Sequence, residues 1–318
     1  MTGPESSPSF SLPLSWRLLD AAEGLAARIW PRALHRWTPW LLLLPALVLV
    51  GLLVIGLVFI GADSLHTLNL ATYRLNPDYT LANYVTALSR PVYLKVLGRS
   101  LLAAIIVSVL TLVLAFPYAY VMVRTRSGLT RKFLLVSLFL PFFIGQVVRA
   151  YGWLIILGKE GVLSAMLAAM GIEGVSLIYN YWAVILGLVQ YMLPFAVLLL
   201  APAITAIPEE VELASHSLGG NWLRTFAHVV LPMARPGLTG SFVVVFTLTL
   251  TDFAMPEILG GGTTDFIANA IYDSFFQISN PGLGAALSMI LVTIGSIFVA
   301  LIFHYAGSGT LGFDGGHK

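Results

Sequence analysis

Long apolar runs without charged residues alternate with short polar segments along this chain. The pattern predicts six membrane-spanning helices, over residues 37–62, 100–123, 133–157, 182–206, 237–259 and 283–305. The first run has 26 residues. At 1.5 Å per residue it makes about 39 Å of helix, enough for a hydrocarbon core of about 30 Å. The run is too long and starts too far into the chain for a cleaved signal peptide, the competing interpretation, so we expect a retained span.

The composition agrees with this pattern. Hydrophobic residues make up 58% of the chain and charged residues 10%, with a mean hydropathy of +0.89. Soluble domains carry roughly a quarter charged residues. We therefore expect an all-α, polytopic membrane protein.

Basic residues predict the orientation of these spans. With both termini inside, the cytoplasmic segments hold 11 of the 17 Lys and Arg residues, the outer segments hold 5, and Arg149 lies within a span. Such a bias favours cytoplasmic N and C termini. The predicted order begins with a cytoplasmic segment (1–36) that contains an amphipathic helix. A periplasmic loop follows the first span (63–98, with a turn at Asn76–Asp78), then a core with five spans (99–306) and a cytoplasmic tail (307–318).

The predicted cytoplasmic loop 207–236 joins the fourth and fifth spans and has helical periodicity of its own. Apolar residues recur there at three- or four-residue steps, at Val211, Ala214, Leu218, Trp222, Phe226 and Val229. Gly219-Gly220 interrupts the pattern, and Pro232 and Pro236 are expected to end it. We predict a helix, a glycine turn and a second short helix. Its apolar face could bind a partner protein or lie on lipid headgroups.

No catalytic or metal-binding motif is apparent. The six His residues show no HExxH spacing, and neither a G-x-S-x-G elbow nor a phosphate-binding loop occurs. Gly307, Gly309 and Gly312 match G-x-G-x-x-G but follow a predicted span rather than a strand, so we interpret the match as coincidental. The sequence contains no Cys. We expect neither an enzyme nor a metal site, and any ATP that drives this protein must bind another chain.

Three ionisable residues fall within or at the edge of predicted spans: Arg149, Asp252 and Glu257. An intramembrane charge costs about 3 kcal/mol or more unless it meets water or a partner, so each is a candidate functional residue. Asp252 is too short to reach the headgroups and is expected to face a transport pathway. Arg149 could instead extend to the interface or bridge helices, and Glu257 could be solvated.

Aromatic and amide residues are frequent near these charges, at Tyr151, Trp153, Gln190, Tyr191 and Phe253. Tyr and Trp at span ends commonly form an interfacial belt. Carboxylates beside aromatic faces would nonetheless suit an organic ammonium ion, through ion pairing and cation–π attraction. Both interpretations stay open at this point.

The loop 207–236 resembles the EAA loop of binding-protein-dependent ABC importer permeases. That pattern is Glu-Ala-Ala, three residues, Gly, and Leu-Pro about a dozen residues later. Gly219 and Leu231-Pro232 fit it, which places Leu213-Ala214-Ser215 at the Glu-Ala-Ala positions. Leu213 thus replaces the Glu of the motif, although Glu212 is adjacent. The resemblance implies a coupling helix that docks in a groove of an ATPase subunit.

A wider resemblance covers residues 80–306 and is strongest to the polyamine (spermidine/putrescine) branch of these permeases. Its segments include Val148–Trp153, Leu157–Gly161 and Pro256–Gly261. That branch commonly has Gly-Glu-Phe where this chain has Thr251-Asp252-Phe253. Related branches for aminoalkylphosphonates, opines or ferric iron also carry Asp there.

The resemblance implies a MetI-like permease of the bacterial inner membrane that imports a polyamine or one of these other ligands. The implied partners are a second, related permease, two ATPase subunits that bind ATP and Mg, a periplasmic binding protein and the lipid bilayer, with no nucleic acid. The residues implied in ATPase coupling are Glu210, Glu212, Leu213, Ala214, Ser215, His216, Ser217, Leu218, Gly219 and Gly220. An ion-coupled secondary transporter is less favoured because paired repeats with broken helices are not evident. A membrane-embedded enzyme is the remaining alternative.

Overall fold

The computed structural model describes residues 38–172 and 176–306. The predicted amphipathic helix within 1–36 and the tail 307–318 lie outside the described residues. The chain divides into two compact units, residues 1–59 and 60–318. Helix α1 (Thr38–Asp63) contains the described part of the first unit and continues into the second.

In its described residues, the second unit consists of helices, connecting loops and one β-hairpin. Its strands are β1 (His66–Asn69) and β2 (Arg74–Tyr79). Its helices as far as loop 207–236 are α2 (Ala82–Ser89), α3 (Pro91–Arg124), α4 (Gly128–Phe139), α5 (Gln146–Leu157), α6 (Val162–Ala169) and α7 (Tyr181–Thr205). The remaining α-helices are α8 (Glu209–Ser217), α9 (Trp222–Thr225), α10 (Leu231–Met233), α11 (Arg235–Leu250), α12 (Ala254–Gly260), α13 (Ile267–Tyr272) and α14 (Pro281–Ala306). A π-helical turn at Phe226–Val230 joins α9 to α10, and another at Asp273–Gln277 follows α13.

Five stretches of the described chain are long and apolar enough to cross a membrane. They are Trp40–Asp63, Pro91–Arg124, Gln146–Ala169, Tyr181–Thr205 and Pro281–Tyr305. A sixth exists if Trp222–Met233 and Arg235–Leu250, which meet at a bend of 71°, are counted as one span. The all-α, multi-span fold class is thus confirmed, while several boundaries differ from those predicted.

Helices α3 and α7 form the centre of the second unit, and α11 packs against both. Fully buried residues recur along α3 at steps of four, at Ala103, Val107, Thr111, Ala115 and Ala119. The matching stripe of α7 is Val184, Leu188, Met192, Ala196, Leu200 and Ile204. Residues four apart lie on one face of a helix, and small residues on that face let two backbones approach closely.

The predicted loop 63–98 contains ordered structure that the sequence analysis missed. The turn expected at Asn76–Asp78 is wrong, because these residues lie within β2. The chain instead reverses over residues 70–73, where Tyr73 has a φ of 50°. A two-stranded sheet consists only of edge strands, where Pro77 is tolerated. Helix α3 also begins at Pro91 rather than near residue 100, since Pro at a first helical position has no N–H to leave unpaired.

The third span differs from the continuous helix predicted over 133–157. Helix α4 ends at Phe139, a 3-10 turn follows at Leu140–Phe143, and α5 begins at Gln146. Pro141 lacks an N–H and cannot continue the hydrogen-bond ladder of α4, which explains why the helix ends before it. Helix α6 then occupies part of the segment 158–181, which the sequence analysis treated as an outer loop.

The predicted fifth span, 237–259, is also interrupted. Helix α11 ends at Leu250 and α12 begins at Ala254. The carboxylate of Asp252 causes the second helix to start here, since its Oδ1 accepts a hydrogen bond of 3.0 Å from the N–H of Met255. An Asp that bonds to a backbone N–H three residues later is a common helix-starting arrangement.

Candidate functional site

Loop 207–236 forms two helices joined by a tight glycine turn, as predicted. Three glutamates lie in the first turn of α8, where they stabilise the positive end of the helix dipole. Gly219 has a φ of +87°, which disfavours any side chain there. A Cβ on Gly220 would lie 2.7 Å from the Ser215 hydroxyl, so this position also requires glycine.

The end of this loop differs from the prediction. Pro232 lies inside α10, and Pro236 lies in the first turn of α11, so neither proline ends a helix. The bend occurs at Ala234, whose φ and ψ are −80° and 1°. Pro in a first helical turn leaves no hydrogen bond unmade, which is why the chain tolerates Pro236 at the start of α11.

One side of the loop presents exposed apolar residues. Leu218 is 90% exposed, and the other large apolar residues of this surface are Leu213, Trp222 and Leu223. Ala214 and Ser217 are exposed beside them. Large contiguous apolar surface on a protein commonly marks an interaction site. We call this set, Leu213, Leu218, Trp222 and Leu223, the apolar loop face.

The opposite side of the loop is fixed to the end of α3. Glu212 is only 8% exposed, although it belongs to the residues implied in coupling. Its Oε1 accepts a hydrogen bond of 2.8 Å from Arg124 Nε and forms an ion pair of 2.7 Å with Arg124 Nη2. Its Oε2 accepts a bond of 2.6 Å from the hydroxyl of Tyr120. The Glu212 carboxylate is therefore occupied by contacts within the protein and is not part of the exposed surface of the loop.

A polar cavity of about 340 Å³ lies where α5, α7 and the break between α11 and α12 meet. It is lined by Gln146, Tyr191, Met192, Leu248, Thr251, Asp252, Phe253 and Ala254. The structure thus brings together three of the predicted pathway residues, Tyr191, Asp252 and Phe253. It also adds Gln146, which the sequence analysis did not select.

Asp252 is the acidic residue of this cavity. It is 7% exposed, and its second carboxylate oxygen accepts a hydrogen bond from the side-chain amide of Gln146. Together with the bond from Met255, each carboxylate oxygen accepts one hydrogen bond, so two donors fix the orientation of the Asp252 side chain.

Arg149 lies beside the same cavity and bridges helices. Its guanidinium is 5.0 Å from the ring centroid of Tyr191, within cation–π range. It also donates hydrogen bonds to the carbonyls of Pro141 and Ile144, at the break before α5. Of the two structural roles considered for Arg149, the bridging one matches these contacts.

The remaining predicted pathway residues lie elsewhere. Trp153 Nε1 donates to Gln190 Oε1 at 3.3 Å, and both residues line a separate apolar groove of about 590 Å³. Tyr151 is exposed, and Glu257 accepts a bond of 2.7 Å from the Asn269 amide. The eight candidate residues therefore do not form one site.

Acidic residues concentrate near the segment between α12 and α14. Burial raises the pKa of Asp265, and the charge of Glu257 adds to this effect while Arg99 opposes it. Burial and the neighbouring Asp265 and Glu257 likewise raise the pKa of Asp273. No group of three His, Asp or Glu residues in the described chain is arranged to hold a metal ion.

Comparison with known proteins decides the family. Residues 112–307 match the family of binding-protein-dependent transport system inner membrane components, and this match covers more than half of the chain. The chain belongs to this family of ABC importer permeases. It is therefore a multi-pass inner-membrane transport component.

Several relatives support this assignment. The permease is 30% identical over 250 residues to the inner membrane ABC transporter permease protein YdcU of Escherichia coli, covering 74% of this chain and 79% of that protein. It is 32% identical over 228 residues to the spermidine/putrescine transport system permease protein PotB of Haemophilus influenzae, covering 71% and 78%. It is 28% identical over 221 residues to the ferric transport system permease protein FbpB of Actinobacillus pleuropneumoniae, covering 69% of this chain and 31% of that protein.

A solved structure shows the same fold. A chain of a bacterial ABC transporter involved in the import of the acidic polysaccharide alginate superposes with a TM-score of 0.70, covering 86% of the permease and 97% of that chain. The sequences are 19% identical, so this likeness concerns the fold alone.

Sequence reasoning missed three residues that organise these sites in the permease. Gln146 was recognisable as an isolated amide in an apolar run, directly after Gly145. Arg124 was counted only as a marker of orientation, and Tyr120 was not considered. Their partner Glu212 is 88 and 92 residues away in sequence, so no local pattern could have paired them.

Proposed function

We propose that the permease pairs with a second, related permease, two ATPase subunits and a periplasmic binding protein, and that loop 207–236 transmits ATP-driven motion to the spans. The apolar loop face supports this role, since it is exposed while the opposite side of the loop is fixed to α3. Basic residues concentrated in the segments taken as cytoplasmic support a loop that points into the cytosol. ATP and Mg bind the ATPase partners in this arrangement.

We further propose that the imported ligand is a small organic cation of the polyamine type. The observation that carries this proposal is the Asp252 carboxylate in a polar cavity between apolar helices. A carboxylate with the rings of Tyr191 and Phe253 in the same cavity can attract an ammonium group by charge and by cation–π contact. The similarity to a spermidine/putrescine permease supports the same ligand class.

A second candidate is a ligand that carries both a positive and a negative charge. Arg149 lies on the ring of Tyr191, which shares its cavity with Asp252. A ligand with an ammonium group and an acidic group, such as an aminoalkylphosphonate or an opine, could contact both residues. Ferric iron is a third possibility because a ferric permease is among the relatives.

The test is uptake by the complete importer with Asp252→Asn. Asn removes the charge and retains an oxygen for the Met255 N–H, and Gln146 can turn its side-chain amide so that its oxygen accepts from the new NH2 group. Loss of one charged contact, worth about 1.5–3 kcal/mol, should weaken the apparent affinity for radiolabelled spermidine or putrescine about 10- to 150-fold. Asp78→Asn, an exposed acid in β2, is the matched control and should leave uptake unchanged.

The alternatives give distinct results. Unchanged polyamine uptake in Asp252→Asn contradicts the assignment of this cavity to the pathway. Uptake of 2-aminoethylphosphonate or of ferric iron, but not of polyamines, by the wild-type importer contradicts the polyamine proposal. Uptake driven by an ion gradient without ATP would favour a secondary transporter.

A further inference from the structure

We infer that α3 is a strut that connects the coupling loop to the rim of the polar cavity, with Glu212 as its positioning residue at the loop end. This inference rests on the proposed function, because it describes how motion of loop 207–236 reaches the cavity. Three sets of contacts carry it: one at the C-terminal end of α3, one at Arg99 and Ser100 in its N-terminal half, and one between α13 and the cavity.

At the loop end, α3 holds both helices of the loop. Arg124 pairs with Glu212 of α8 and also donates a bond of 2.7 Å to the carbonyl of Ile207, just before that helix. Tyr120 packs edge-on against Phe226, with ring centroids 5.4 Å apart, beyond the glycine turn. Motion of either loop helix must therefore move the end of α3 or break these contacts.

The body of α3 can transmit such a motion. It is one helix of 34 residues, about 51 Å long. Its stripe of small, fully buried residues packs on α7 and α11. Closely packed interiors have low compressibility and transmit displacement.

Toward its N-terminal half, at Arg99 and Ser100, α3 holds the segment between α12 and α13. The Ser100 hydroxyl accepts a bond of 2.8 Å from the N–H of Ile267 and is fully buried. Arg99 Nη1 donates to the carbonyls of Thr263 and Asp265, at 3.2 and 3.3 Å. These contacts fix the start of α13 to α3.

Helix α13 then reaches the cavity. The side-chain amide of Asn269 donates to the carbonyl of Phe253 at 3.2 Å and to Glu257 at 2.7 Å. Phe253 lines the cavity directly beside Asp252. A continuous set of contacts thus leads from Glu212, through α3 and α13, to the break that holds the candidate ligand carboxylate.

The experiment is a double-mutant cycle across the length of the strut in the reconstituted importer. Glu212→Gln removes the charge at one end, and Ser100→Ala removes the acceptor at the other. Each should lower ligand transported per ATP hydrolysed about tenfold while the ATPase subunits still co-purify and hydrolyse ATP. Distant, independent sites add, whereas two breaks in one strut do not. In the double variant, the ligand transported per ATP should therefore fall about tenfold, as in either single variant, rather than about a hundredfold.

Two further variants keep the test decisive if Glu212→Gln fails to assemble. Tyr120→Phe removes one hydrogen bond to the same carboxylate and should uncouple in the same direction. Glu209→Gln changes an exposed glutamate of the same helix and should leave transport per ATP unchanged.

Additive effects of the two substitutions, or no change in the ligand transported per ATP, would contradict the proposal that α3 is a strut. Uptake and ATPase activity that fall in parallel with the amount of complex would also overturn it, because that is the result of a purely structural role. Wild-type uptake that needs no ATP would overturn the proposed function and the strut together. ATP-driven uptake in the wild type, with additive losses in the double variant, would contradict the strut and leave the proposed function standing.

Discussion

Gly237 determines how closely the two helices that flank the coupling loop can approach. It lies in the first turn of α11, opposite Ala203 near the end of α7. A Cβ added at Gly237 would overlap the methyl group of Ala203. The methyl group of Ala203 has no other rotamer to adopt, so Gly237→Ala should force α7 and α11 apart by about 1 Å. A gap of that size loses roughly a quarter to a half of the energy of each affected van der Waals contact.

The expected loss follows from this overlap. Overpacking of a close interface typically costs about 1–3 kcal/mol. For a chain of this size, 1 kcal/mol corresponds to roughly 2–4 °C in melting temperature, so Gly237→Ala should melt about 2–12 °C lower. The assay is thermal unfolding of the purified importer in detergent, followed by tryptophan fluorescence.

Two matched variants distinguish overlap from a general effect of alanine. Gly240→Ala lies one turn later in α11, where an added Cβ meets nothing within 4 Å. It should be neutral or stabilising by up to about 1 kcal/mol, because Ala favours a helix over Gly. Ala203→Gly should restore much of the stability of Gly237→Ala by making room for its methyl group. Equal melting temperatures for Gly237→Ala and Gly240→Ala, or no rescue by Ala203→Gly, would refute this packing argument.

Two other predictions follow from the loop and the acidic segment. Ala214→Arg places a bulky charge beside the apolar loop face and should abolish uptake and ligand-stimulated ATP hydrolysis. The amount of the variant in the membrane, measured by immunoblot, should be unchanged. Retained uptake would contradict docking through this face. Asp265→Asn should raise the melting temperature at pH 7 but not at pH 4. The raised pKa of Asp265 means that its charged form is disfavoured in the folded state, so stability falls as pH rises from the ordinary value of about 3.9 through the raised one. A gain that is equal at both pH values would contradict this cause.

The fold class was predictable from hydropathy because the bilayer imposes long apolar helices. The breaks within the spans were harder to predict from hydropathy. Pro141 was visible in the sequence, but apolar residues on both sides of it concealed the end of α4. The break at Asp252 depends on a side chain bonding to Met255, which hydropathy does not report.

The candidate sites were predictable only in part. The glycine turn at Gly219-Gly220 was found because positive φ and close backbone approach leave a local signature. The side-chain partners of Glu212 and Asp252 lie at least 88 residues away in sequence, and only the packing of α3, α5 and α8 brings them together. The separation of Trp153 and Gln190 from Asp252 also depends on which helix faces are buried, which a list of polar residues cannot show.

The most direct test of the account is the partner of Leu218. The sequence contains no Cys, so Leu218→Cys introduces a single thiol at a residue that is 90% exposed. In intact cells, a membrane-impermeant maleimide added from outside should not label this thiol, whereas a thiol crosslinker in inverted vesicles should join it to the ATPase subunit. Labelling from outside, or the absence of any ATPase crosslink in an importer that still transports, would contradict a coupling loop that docks on the ATPase in the cytosol.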